Sequence, residues 1–278
     1  MLVAGSETAF DKTYPVRDAV VETWIDPGGG EYRNFADDTM RALAAEGILY
    51  SEQSVGLGKL EKKFPAAMMK ELAAKHGIDV RLLAMVNTRA LAGAASAEEA
   101  NAVKDQLRRT LMRGDVIGID IAGPEARAFT GAGMDRFEEL YDLVREAAAA
   151  RKRPLVLRPH VGEGYDDPKT GAHDGSHATI ARANLEAIIT RLEAMGYNDS
   201  KGARDGVVIR FGHAAHATPT QNERLATLGV YVESNIGSNL ATRSLLRPED
   251  HPLIYQLYYG VKTVLGTDGQ GVMGTSRS

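Results

Sequence analysis

Strand-like and helix-like segments alternate along most of this chain, and that alternation narrows the folds it can reach. Short apolar, β-branched runs occur at 48–55, 80–86, 116–123, 154–161, 207–213, 230–236 and 262–267. Segments rich in Ala, Leu, Glu and Arg with helical spacing lie at 34–46, 60–75, 96–112, 134–150, 177–195, 220–228 and 250–259. Within 134–150, Met134, Phe137, Leu140, Tyr141 and Val144 form an apolar stripe of helical period. Strand, helix, strand implies a parallel sheet, because parallel neighbours need a crossover. Seven such units suit an α/β fold of one of two kinds: a (β/α)8 barrel of the TIM type with one strand missing, or a large doubly wound sheet. The strand ends favour the barrel. Polar residues recur there: Glu52, Asp120, His160, Glu163, His213, Glu233, Asn235 and Asp268. In a barrel those ends converge on one face, where active sites are built, whereas an open sheet would scatter them along an edge. Residues 1–33 read as an irregular lead-in with a short helix, and 34–278 as one barrel domain.

Composition removes several functions. With 33 basic and 37 acidic residues the formal net charge is -4, so no basic excess exists to bind a phosphate backbone, and a nucleic-acid partner is not expected. There is no cysteine, which removes disulfides, thiolate metal sites and cysteine nucleophiles. No stretch of 18 apolar residues occurs, so no membrane span is expected. The opening MLVAGSETAFDK lacks a basic start and a long apolar run, so it does not read as a secretion signal, and a cytoplasmic location is expected. Composition leaves the oligomeric state open.

Three strand ends carry candidate chemistry. His160-Val161-Gly162-Glu163 puts an imidazole and a carboxylate either side of a glycine, where a strand breaks into a loop. The imidazole offers a neutral nitrogen to a metal, and the carboxylate can move protons. Arg210-Phe211-Gly212-His213 ends the next strand, with His216 just beyond. Thr267-Asp268-Gly269 follows the last. Each has an ordinary structural alternative: a surface histidine at a turn, a hydrogen-bonded core histidine, an Asp-Gly turn. Together they gather nitrogen and oxygen donors without sulfur. That set suits Zn, Fe, Mn or Ni, with zinc the commonest choice for hydrolysis. His173 and His177 lie in a Gly/Asp/His-rich stretch after Glu163 that reads as a lid or as a solvated loop. His251-Pro252 reads as a helix start and His76 as a helix end.

Several short motifs then follow in order. They are Tyr50-Ser51-Glu52-Gln53, the Gly118–Glu125 segment GIDIAGPE, His160–Glu163, Arg210–His213, Glu233 with Ser238-Asn239, His251-Pro252, Gly260-Val261 and Thr267-Asp268. In this order and spacing the chain resembles the adenosine deaminase family, metal-dependent (β/α)8-barrel hydrolases of the amidohydrolase group, over roughly residues 35–275. The resemblance implies one zinc ion held by His160 and Asp268. It implies Glu163 as proton donor to a purine ring nitrogen, and His213 as the group that orients and deprotonates the attacking water. Asp268 would also hold that water. Gly123 would offer its backbone to the purine, with Asp120 and position 269 on the substrate side. The partner implied is a small-molecule purine, nucleoside or nucleotide, and the reaction is replacement of its amino group by water.

Three departures qualify this. The family's H-x-H metal pair on its first strand is absent, since no H-x-H occurs in the 278 residues. Gly269 stands where the family has a second aspartate that contacts the purine. The family also continues beyond the point matched by Ser278. The expectation is therefore a barrel incomplete at both ends, lacking its first strand. A metal hydrolase with another substrate and an inactive, ligand-binding remnant stay open beside the deaminase.

Overall fold

The computed structural model describes residues 31–92, 97–125, 127–164, 176–266 and 268. The expectations placed on 1–30, on 165–175 with His173, on Thr267 and on Gly269 lie outside the described residues.

Helix α1 (Glu31–Ala45) leads into β1 (Tyr50–Gly56), followed by α2 (Leu57–Lys63), α3 (Ala66–His76) and β2 (Asp79–Asn87). Next come α4 (Ala97–Leu111), β3 (Val116–Ala122), α5 (Gly131–Arg151) and β4 (Leu155–Val161). Then α6 (Ser176–Ala194), α7 (Asp199–Asp205), β5 (Val207–His213), α8 (Pro219–Leu228), β6 (Tyr231–Ser234), α9 (Ile236–Ala241), α10 (Leu253–Tyr258) and β7 (Lys262–Leu265) complete the order. All seven strands form one sheet in sequence order, every pair parallel. The expected class is borne out, and so, among the described residues, is the count of seven strands.

Two local expectations need correction. The single helix read over 60–75 is two, because Pro65 lacks an N–H and keeps Phe64 out of the helical region, at φ -127 and ψ 65. The strand read over 230–236 ends at Ser234, and Ile236–Ala241 turns into a short helix. Elsewhere the apolar pattern holds. Met134, Phe137, Leu140, Tyr141 and Val144 of α5 are all buried, and α5 packs on β4. Each such side chain contributes about 1.5–3 kcal/mol by leaving water.

Along β4, Leu155, Leu157 and Val161 are fully buried on one face, while Val156, Arg158 and His160 occupy the other. That second face carries charge, and the charge shows the sheet's curvature. β1 and β5 stand four strands apart. In a flat sheet they would lie roughly 19 Å apart, at about 4.8 Å per strand. Yet the Arg210 guanidinium on β5 pairs with the Glu52 carboxylate on β1. Arg158 on β4 donates to Ser54 on β1 at 2.5 Å and to Glu233 on β6 at 3.1 Å. Side chains reach across such spans only when the sheet curls with this face inward. Arg158 also donates to Asp120 at 3.0 and 2.9 Å, and Arg210 pairs with Glu233 at 2.8 Å. Two arginines thus sit among Glu52, Asp120 and Glu233 in one interior layer.

Removing one member of a buried ion pair leaves its partner's charge stranded, at about 3–5 kcal/mol. Arg158→Met would strand Asp120, which is fully buried. We expect urea unfolding to show a loss of about that size. A loss below about 1 kcal/mol would mean that this layer does not hold the sheet.

Candidate active site

The site stands one layer above the interior charges, at the C-terminal ends of β4 and β5. His160 lies two residues beyond Arg158 on the same face of β4, and pairs in register with Gly212 of β5. A β-carbon at Gly212 would come within 2.9 Å of the His160 ring, so a glycine is what lets that ring lie over β5. The chain then bends sharply. His213 and Ala214 take φ of 75 and 45, and Asp268 takes 54, a left-handed conformation uncommon for non-glycine residues and often found at functional sites.

These bends bring four side chains together. His213 Nε2 lies 3.3 Å from His160 Nδ1, 3.5 Å from a Glu163 carboxylate oxygen and 3.8 Å from an Asp268 oxygen. Behind His213, the Asn239 side-chain amide meets Nδ1 at 3.1 Å, which commits that nitrogen and leaves Nε2 facing the group. Ser238 donates to Asp268 at 2.7 Å. His213, Ser238 and Asn239 are at most 1% exposed, and Glu163 is 8% exposed.

The donors suit a small cation. A tetrahedral shell with ligands about 2.0–2.1 Å from the ion spaces ligand atoms roughly 3.4 Å apart. Donor atoms of His160, Glu163 and His213 all lie within 4.8 Å of one another, and Asp268, expected as a ligand, stands outside that set, 3.8 Å from His213 Nε2. His160 Nδ1 faces His213 within this group, while its Nε2 lies 3.2 Å from the Asp120 carboxylate in the layer beneath.

Burial sets the protonation states. It pushes Glu163 up to about 8, with the Asp268 charge adding to the effect. Burial would lower His160, but the Asp120 carboxylate outweighs it and the imidazole rises to about 9. Burial and the neighbouring His160 lower His213. Burial would raise Asp268, but the two histidines hold it below its usual range.

The sequence brought together Glu163, His213, Asp268 and His160, and the structure places all four in one group. Asp120 differs. It was placed on the substrate side, but its carboxylate is taken up by Arg158, by Ser54 at 2.5 Å and by His160, one layer beneath the site. Asp120 pairs in register with Arg158, two residues short of His160, and that depth along the strand puts it below the mouth. Gly123 directly follows the last residue of β3, beside Asn87 and Thr88. His177 opens α6 with its carbonyl near Gly164. Ser244 was missed, and no sequence signal marks it: its hydroxyl donates to the Glu163 carbonyl. Asn239 was quoted in a motif without a role.

Two curated proteins match across most of the chain. An adenine deaminase of Mesorhizobium japonicum is 25% identical over 258 residues, covering 88% of this chain and 65% of its own length. An adenosine deaminase of Erwinia tasmaniensis is 25% identical over 254 residues, covering 87% and 63%. The chain is thus similar to an adenine and an adenosine deaminase over most of its length. It spans slightly less than two thirds of the length of these relatives. No family model matches it. Among solved structures it shares its fold with the adenine deaminase from Arthrobacter aurescens at a TM-score of 0.60 and 19% identity, covering 88% of this chain and 64% of that one. The N6-methyl-AMP deaminase from Arabidopsis thaliana gives 0.60 at 17% identity, covering 96% and 69%. The Arthrobacter aurescens atrazine chlorohydrolase, complexed with zinc, gives 0.58 at 15%, covering 96% and 55%. Among the described residues no helix is long and apolar enough to cross a membrane.

The protonation states have a measurable consequence in metal-free protein. Glu163, His160 and Glu125, the last raised by burial to about 7, hold protons more tightly folded than unfolded. Each loses stability as pH rises through its folded value. His213, His216 and His251 are lowered by burial and act oppositely, but only below the ordinary histidine value of about 6.5. Stability to urea should therefore fall between about pH 7 and pH 9, and Glu163→Gln should flatten the part below about pH 8. Stability that rises or stays level across that range would contradict these states.

Proposed function

We propose that the chain carries the core of a zinc-dependent hydrolytic deaminase acting on the ring amino group of a purine base, nucleoside or nucleotide. The observation that carries this reading is the convergence of His160, Glu163, His213 and Asp268 at the ends of parallel strands, in a chain similar to an adenine and an adenosine deaminase. His160 and Asp268 would hold the ion, and two further ligands of the resembled family are not present in this sequence. When bound, the ion would acidify water and so supply a nucleophile near neutral pH.

The remaining roles belong to side chains. At pH 7 Glu163 keeps its proton, as a general acid must. Donating it to a ring nitrogen drains electrons from the neighbouring amino-bearing carbon. His213, held neutral by burial, presents Nε2 to take a proton from the incoming water. Water adds at the carbon, the carbon–nitrogen bond breaks, and ammonia leaves with the proton passed on. The layer below contributes rigidity, because Asp120 braces His160 from beneath. The backbone of Gly123 would meet the purine at the rim.

Purine recognition is supported by the relatives' names and by an Arabidopsis structure complexed with GMP that shares the fold, at a TM-score of 0.61 and 16% identity. Gly269 favours a second reading, a metal hydrolase with another ring substrate, since it supplies no carboxylate where the resembled family has one. The atrazine chlorohydrolase shows the same fold with a different named activity.

Amine release by the zinc-loaded chain tests the proposal: ammonia from adenine and adenosine, methylamine from N6-methyl-AMP. Glu163→Gln should keep the metal and lower turnover by about 10²–10⁴-fold, the usual worth of an acid–base group. His160→Ala should lose the metal instead. Turnover at the parent rate in Glu163→Gln, or full metal content in His160→Ala, would overturn the assignment.

A further inference from the structure

Glu125 is 3% exposed and has no part in the chemistry described so far. Its carboxylate collects three consecutive backbone N–H groups. Gly162 donates to one oxygen at 3.1 Å, and Glu163 and Gly164 donate to the other at 2.9 and 3.2 Å. The glycines either side of Glu163 make this possible, with φ of 70 and 54, so that successive amides turn inward as an anion-binding concavity. A β-carbon at Gly164 would lie 2.9 Å from both the Ala181 β-carbon and the His177 carbonyl oxygen, so the loop has no room for a different residue there. On its other side, the Glu163 carbonyl accepts from Ser244. The Glu163 backbone is therefore held at both its N–H and its C=O, while its side chain points to His213.

We infer that Glu125 is a positioning residue: a buried acceptor around which the Gly162–Glu163–Gly164 loop closes, fixing where the Glu163 carboxyl stands. A carboxyl group suits the task because its two oxygens together accept all three N–H groups. Glutamine would set an NH2 group against one of the three amides. Aspartate keeps the carboxyl group but is one methylene shorter. An acid placed about 1 Å off its productive position can cost on the order of 10²-fold in rate with little effect on ground-state binding. The turnover part of this inference rests on the deaminase reading; the loop geometry does not.

Glu125→Gln and Glu125→Asp would be compared with the parent by amide hydrogen exchange in metal-free protein and by the kinetics of ammonia release. In Glu125→Gln, protection at Gly162, Glu163 and Gly164 should fall at least about tenfold, with the amides of β4 and β5 unchanged. Its kcat should fall about 10²-fold with KM within about threefold, and Glu125→Asp should recover part of both losses. If the parent releases neither ammonia nor methylamine from any purine, the deaminase reading fails, and the three amides still decide the loop assignment. Unchanged protection at those amides would overturn it. So would a loss spread evenly through β4 and β5, or a failure of Glu125→Gln to fold while Glu125→Asp exchanges like the parent, since these mark a general packing role.

Discussion

Two part-buried arginines shared among three carboxylates bind the two sides of this sheet to each other. Arg158 reaches Asp120, Ser54 and Glu233, and Arg210 reaches Glu52 and Glu233, so β1, β3, β4, β5 and β6 all contribute to one interior layer. Apolar side chains would fill such an interior without specifying which strand faces which. Ion pairs that must each find a partner do specify it, because a charge left alone in the interior is costly. Among the described residues β1 and β7 are the ends of the sheet. Cross-sheet ion pairs thus accompany a curl that strand-to-strand hydrogen bonds leave open.

The site inherits its geometry from that layer. Asp120 faces upward to His160 and sideways to Arg158, so the histidine ring rests on a carboxylate that is itself pinned. The ring can lie over β5 because Gly212 has no side chain, and it then meets His213, whose other nitrogen is committed to Asn239. Glu163 enters from the opposite side on a loop tied to Glu125 and Ser244. Burial does the rest. The same desolvation that raises Glu163 lowers His213, so one keeps a proton at neutral pH and the other is free to take one.

Much of this was legible in the sequence, for identifiable reasons. The runs at 116–123, 154–161 and 207–213 are apolar and β-branched, and each contains a strand of the sheet. His160, Glu163, His213 and Asp268 could be grouped because strand ends in a parallel barrel share a face. Asp120 was misplaced because alternation along a strand gives the face and not the depth, and two residues of depth separate the site from the layer beneath. The charged layer was hidden because its members pair over long separations, Glu52 with Arg210 across 158 positions. Ser244 and the short helix α9 carry no periodic signal, since too few residues repeat. The break at Pro65 was legible but was overridden by the apolar spacing on either side.

Charge pairs across the interior hold the curled sheet on which the site is built. A double-mutant cycle between Glu52 on β1 and Arg210 on β5, using Glu52→Gln and Arg210→Gln and urea unfolding, measures that pairing directly. Coupling energies between groups in contact run to about 0.5–3 kcal/mol, and distant groups add within about 0.3–0.5 kcal/mol. The structure predicts a favourable coupling of at least about 1 kcal/mol between these two strands. Simple additivity would contradict it, and would mean that β1 and β5 do not face each other across the curled sheet.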